Sequence, residues 1–278
     1  MRVNPLATLL ITSCLLMACT RSGPNYKLVQ ADSLMQQSPD SALRLLQKIY
    51  PEELKSLEDR AYYALLVTQV QDKSFILHTN DSLIRIAIQY YDSIKDVSMQ
   101  AKAYCYWGCI WRDKSDPSQA LEKFFTAISY AKRSADHQLA GYIYNNIANL
   151  YYSQQLNSQA DSIYLITEKI AIQQKDSILL VDALSQRGMI DIKKGDYFKA
   201  EQKLLYAFEV SRHSNIKSLI AKTAYSLSLL YGRMNFKEKA IEFAKLSVDN
   251  QRNLNMLYRA YLVLGDAYYK TMQYDSAT

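Results

Sequence analysis

From Tyr104 to the end of the chain, large and small side chains fall on a fixed schedule. With Tyr104 as zero, large residues stand at zero, three and seven (Tyr104, Trp107, Trp111) and a small one at four (Gly108). Alanine follows at sixteen (Ala120), a large residue at twenty (Phe124) and a small one at twenty-three (Ala127). Forty residues later the schedule returns as Tyr144, Ile147, Ala148, Tyr151, Ala160, Tyr164 and Thr167. The next starts give Leu184, Arg187, Gly188, Asp191, Ala200, Leu204 and Ala207, then Ala224, Leu227, Ser228, Tyr231, Ala240, Ala244 and Ser247. A last start gives Tyr261, Leu264, Gly265, Tyr268 and Ala277. Spacings of three, four and seven lie on one stripe of a helix, so each unit predicts two helices. The small residue at four and the alanine at sixteen let the pair cross closely, and the large residue at twenty fills the gap to the neighbouring pair. Turn and cap residues separate the helices: Asp116-Pro117, Asn157-Ser158, Gly195-Asp196 and Asn235.

This array resembles the tetratricopeptide repeat (TPR) family from about residue 101 onward. The resemblance implies an all-α, right-handed superhelical solenoid of antiparallel helix pairs. A forty-residue period exceeds the family's common length and predicts longer helices or longer linkers. Arg187 and Asp191 occupy apolar stripe positions, so the first helix of that unit is expected to pack less tightly. Upstream, Ser38-Pro39-Asp40 starts a helix through Ala42, Leu45, Leu46 and Ile49. Leu54–Val70 and Leu83–Tyr91 predict another antiparallel pair joined by a loop from Asp72 to Asn80. Residues 26–97 are therefore expected to be degenerate N-terminal helical pairs ahead of a 98–278 array of about five units, because end repeats are usually atypical. Only Ala277 and Thr278 belong to the last unit's second helix, which points to a truncated sequence.

The first residues follow a different logic. Met1-Arg2 supplies a positive start, Leu6–Met17 is a continuous apolar run, and Ala18-Cys19 ends it. The run is shorter than the roughly 20 residues that a bilayer span requires, and it fits a secretory leader. Leu16-Met17-Ala18-Cys19 resembles a bacterial lipobox. That resemblance implies a signal peptide over 1–18, lipidation of Cys19, a tether over 19–25 and, with Thr20 following the cysteine, an outer-membrane location facing the periplasm.

Composition narrows what the helices can do. All five prolines precede residue 118, and only seven glycines occur, which argues against strands and hairpins. The chain has 23 tyrosines against seven phenylalanines, a balance suited to half-buried positions where a hydroxyl reaches water or a partner. The net charge of +6 is scattered and gives no nucleic-acid footprint. Cys105 and Cys109 sit four apart on one helix, where side-chain geometry disfavours a disulfide, and no neighbouring histidine completes a metal site. His78, His137 and His213 are far apart and expected in exposed loops. No metal-protease, phosphate-loop or nucleophile-elbow motif occurs. The expectation is a chain with no catalytic residues, no metal and no cofactor.

The remaining candidate is the concave face formed by the first helices. Tyr142, Asn145, Asn146 and Asn149 cluster on one of them, although asparagine is a mediocre helix former. A carboxamide both donates and accepts, which suits the backbone of an extended peptide. In peptide-binding TPR proteins asparagines on this face play that role, and Asn146 and Asn149 fall at the matching places. Neighbouring units add Lys102, Tyr106, Arg112, Lys222, Tyr225 and Arg259. Cys105 stands where the carboxylate clamp of chaperone-binding relatives has lysine, so that specialisation is not expected. The partner implied is a protein or extended peptide in the cell envelope. The alternative is the sensory half of a longer regulatory protein.

Overall fold

A computed structural model describes residues 25–251 and 254–275; the leader, Cys19 and Ala277 lie outside them. The described chain is helical with no strand, and it divides into two compact units between Ile76 and Leu77, inside the 72–80 loop. Each unit is described by itself.

In the first unit, helices α1 (Tyr26–Leu34), α2 (Pro39–Leu46) and α3 (Leu57–Lys73) pack pairwise, with a 3-10 turn at Pro51–Glu53. Asn25 caps α1 by accepting from Lys27 N, and Ser56 caps α3 by accepting from Asp59 N. The enclosed core is Leu28, Ala31, Met35, Ala42, Leu46, Ile49, Leu54, Leu66 and Val70.

In the second unit, α4 (Ser82–Ile94) packs on α5 (Val97–Asp113), and the pairing then continues regularly. The helices are α6 (Pro117–Arg133), α7 (His137–Ser153), α8 (Asn157–Gln174), α9 (Ser177–Lys194), α10 (Tyr197–Ser214), α11 (Lys217–Arg233), α12 (Lys237–Asn250) and α13 (Leu254–Asp275). From α5 to α11 every helix has 17 or 18 residues, so the long period comes from long helices and not from long linkers.

The links recur every twenty residues. Lys95, Ser115, Ala135, Gln155, Lys175, Gly195, Asn215 and Asn235 all have φ between 54° and 80°, the left-handed conformation that ends a helix. The residue after seven of them donates its N–H to a carbonyl five back, as Asp116 does to Trp111 and Phe236 to Tyr231. Asp96, Asp116, Asp136, Asp176 and Asp196 then cap the next helix, each accepting from the N–H three residues on. One residue reverses the chain and the next restarts it.

The crossing of each pair extends one expectation. The large residue at twenty packs on the small residue at four of its own pair as well as towards the next pair, where Tyr164 clusters with Ala183 and Ile190 of α9. A Cβ on Gly108 would lie 2.6 Å from the Phe124 ring, and one on Gly188 would lie 2.7 Å from Leu204. Ala148 and Tyr164 share one core cluster in the same way. Arg187 and Asp191 do not loosen their helix. Arg187 donates to Asp161 at 2.8 Å and pairs with Glu168 on α8, while Asp191 pairs with Lys203 on α10. Paired in this way, they substitute ionic contacts for the missing apolar ones, and Ile190 remains fully buried beside them.

Candidate functional site

The first helices α5, α7, α9, α11 and α13 contact one another in succession, so equivalent positions form rows. One row is Lys102, Tyr142, Asp182, Lys222 and Arg259; a second is Cys105, Asn145, Ser185 and Tyr225; a third is Tyr106, Asn146, Gln186 and Ser226. These rows carry all the candidate residues except Asn149 and Arg112, which sit further along the same helices.

Two groups emerge. On α5 and α7 the rings of Tyr106 and Tyr142 lie 6.3 Å apart, and Tyr106 is nearly fully buried. Asn146 is buried beside them. Its oxygen accepts from Arg112 at 2.9 Å, and its amide donates to the Tyr142 carbonyl at 3.0 Å. Asn149 accepts from the Tyr164 hydroxyl of α8 and makes no hydrogen bond through its amide among the described residues. Asn145 is 8% exposed, and its oxygen is buried with no partner. Leaving such an atom unmatched costs roughly 1–3 kcal/mol. Lys102 forms no ion pair within the described residues.

The second group lies on α11 and α13. Arg259 sits over the Tyr225 ring at 5.7 Å, and Lys222 pairs with Asp182 of α9. Asp182 therefore consumes one of the cations proposed for a partner. Between the groups, Ser185 on α9 is 1% exposed with an unpartnered hydroxyl. Sequence reasoning passed over Ser185 and Asp182, although each stands one forty-residue step from a residue it had chosen.

Arg112 is also part of a longer network that sequence reasoning missed. His78 is buried, against the expectation of an exposed loop, whereas His137 and His213 are exposed as expected but stand at helix ends instead of in loops. The His78 Nδ1 lies 2.7 Å from Asp113 Oδ2, and the His78 backbone N–H donates to the same oxygen. Arg112 donates to the other carboxylate oxygen through Nε at 3.0 Å and Nη2 at 2.7 Å. Burial alone would raise the Asp113 carboxyl, but the hydrogen bonds from His78 and Arg112 outweigh it and hold the group below the usual carboxylate range. The network pins the segment around His78 to α5 and links it, through Arg112, to Asn146.

Cys105 and Cys109 are buried and form no disulfide among the described residues, with Cys109 Sγ 3.9 Å from the Tyr142 hydroxyl. Among the described residues no group of histidine, cysteine and carboxylate could hold a metal, and no helix is long and apolar enough to cross a membrane.

No protein-family model matches the sequence, and no curated protein matches it significantly. Several solved structures are similar. The apo form of RapI gives a TM-score of 0.65 at 17% identity, over 91% of this chain and 72% of that one. A Rap protein complexed with Competence and Sporulation Factor gives 0.66 at 15%, over 91% of this chain and 72% of that one. A signal transduction ATPase with numerous domains and a tetratricopeptide repeat sensor, from Pyrococcus horikoshii, gives 0.66 at 15%. That match covers 88% of this chain, which spans 38% of the ATPase's length. At these identities the likeness shows the fold, a solenoid of TPR type.

Proposed function

We propose that this TPR-like solenoid is a non-catalytic scaffold that holds an extended segment of a protein partner, and that Cys19 anchors it by lipid in the bacterial cell envelope. The observation that carries the binding reading is the unpartnered, buried oxygen of Asn145, flanked by Asn146 and the Tyr106–Tyr142 pair on contacting helices. An extended segment brings unpaired backbone N–H groups that would satisfy it once the Asn145 side chain turns outward, and the free amide of Asn149 offers a donor to the segment's carbonyls. Lys102, Tyr225 and Arg259 then favour acidic or aromatic side chains along the same segment, whereas Lys222 is already paired with Asp182. The similar Rap protein that is complexed with Competence and Sporulation Factor supports a binding role for this architecture.

The clean variant is Asn145→Ala, because Asn146 and Asn149 also hold internal bonds. Against a peptide recovered by selection on the wild-type chain, Asn145→Ala should weaken binding by about tenfold, equivalent to ~1.4 kcal/mol, with the melting temperature unchanged. Unchanged affinity would move the binding site elsewhere. For the anchor, Cys19→Ser should release the protein from membranes while Cys14→Ser leaves it bound; a membrane-bound Cys19→Ser chain with its leader cleaved would sink the lipid claim.

A second reading is favoured by the sensor-bearing ATPase: a TPR sensory half of a longer regulator. An apolar run of about 20 residues encoded beyond Thr278 would support it.

A further inference from the structure

The first unit carries an apolar surface that its own core does not use. Tyr26 is 72% exposed, Tyr50 69% and Leu57 69%, with Val29 one helical turn beyond Tyr26 on the same face of α1. Bonds within the unit bring these side chains to one end of it. The Asn25 backbone N–H donates to Asp59 at 2.9 Å, its side chain donates to the Glu53 carbonyl, and Lys27 pairs with Glu53, which also accepts from Tyr50 N–H at 3.0 Å. The hydrogen bond to the Glu53 carboxylate raises the Lys27 ammonium, and the Tyr26 and Tyr50 hydroxyls add weakly to it. None of the four apolar residues belongs to the core cluster.

We infer that Tyr26, Val29, Tyr50 and Leu57 form an interfacial patch that seats the first unit on the lipid surface holding the Cys19 anchor. The inference rests on the anchoring reading above. Only Thr20 to Pro24 separate Cys19 from Asn25. Six Cα steps reach at most about 20 Å even when fully extended. A lipidated Cys19 therefore holds this end of the unit within one short tether of the bilayer, at an effective concentration that makes weak apolar contacts count. Tyrosine favours the membrane–water boundary, where its ring is apolar and its hydroxyl stays hydrated. Charge is not the attraction: residues 48–60 carry Lys48, Lys55 and Arg60 against Glu52, Glu53, Glu58 and Asp59. The contact should accordingly form on zwitterionic lipid and survive high salt.

The test replaces the natural anchor, so that its failure is separable from failure of lipidation. The chain from Thr20 onward, with a hexahistidine segment where Cys19 stands, is tethered to phosphatidylcholine vesicles through a nickel-chelating lipid. Tyr50→Trp and, independently, Leu57→Trp report depth by quenching from dibrominated phosphatidylcholine, after subtraction of the Trp107 and Trp111 signal. The control is Phe75→Trp. Phe75 is 87% exposed but lies beyond the far end of α3, about 25 Å along the helix from Leu57. Quenching at 50 and 57 should exceed that at 75 by about twofold or more and should persist in high salt. Equal quenching at all three positions, or quenching abolished by salt, overturns the inference. Burial of the Tyr50→Trp reporter through association of two copies, without lipid quenching, also overturns it.

Discussion

The hydroxyl of Tyr164 donates to the side-chain oxygen of Asn149 at 2.5 Å, tying together the two helices of one repeat. Tyr164 has no exposed surface, and burial pushes its hydroxyl far above the usual tyrosine range, so the group stays neutral and keeps needing an acceptor. Asn149→Ala should destabilise the chain by about 1–3 kcal/mol, and Tyr164→Phe added to it should recover most of that loss. Urea unfolding of wild type, both single variants and the double variant measures the coupling. Additive losses would show that the bond contributes nothing beyond its two side chains.

In two units the glycine at position four is crossed too closely for a Cβ to fit without a shift. Gly108→Ala and Gly188→Ala should each cost about 1–3 kcal/mol, because Phe124 and Leu204 would have to shift. Gly232 has nothing within 4 Å of a built Cβ and lies in α11. Gly232→Ala should be neutral or stabilising by up to ~1 kcal/mol. Thermal melts that ranked the three substitutions equally would refute the crossing geometry.

The left-handed links make opposite predictions for two chemically similar exchanges. Ala135 has φ 54° and Gly195 has φ 80°. Ala135→Gly should stabilise by a few tenths of a kcal/mol or leave stability unchanged, while Gly195→Ala should cost about 1 kcal/mol. Chemical denaturation of both variants checks the signs. Destabilisation of equal size in the two would mean that the links do not hold this conformation in solution.

Asp113 provides a pH signature. Its carboxyl is held below the usual range in the folded chain, so it contributes stability above its unfolded pKa, near 4. That contribution is lost as the pH falls through the lower, folded value. The stability gap between wild type and Asp113→Asn should be full at about pH 6 and close steadily below about pH 4. Melts at constant ionic strength follow it. A gap that stays constant down to about pH 3 would remove the ionised carboxylate from the account.

The fold was legible because the positions that fix it repeat. Ala120, Ala160, Ala200 and Ala240 stand forty apart, and each is buried at a helix crossing. The polar part was less legible, because its partners lie at distances no period marks. His78 meets Asp113 across 35 residues, Arg187 finds Asp161 across 26, and Asn149 is met by Tyr164 across 15. A histidine in a loop and three asparagines on a helix look available until those partners are placed. Ser185 and Asp182 were legible in principle, since the row that picks out Asn145 or Lys222 passes through them.

The equal spacing of the links has a consequence for how such a chain can grow. Every forty-residue unit from α5 to α12 contains two helices and two left-handed residues, so its start can be drawn anywhere along it. At three nucleotides a residue, a tandem copy of 120 nucleotides lying wholly within α5 to α12 stays in frame and adds one complete helix pair, with both links intact and the rows on the first helices still aligned. A duplication of half that length also stays in frame, but it would set a second helix where a first belongs. The rows of equivalent first-helix side chains would then be interrupted at that point. Gene segments encoding this array can therefore lengthen the face formed by the first helices by one step without redesigning a single junction.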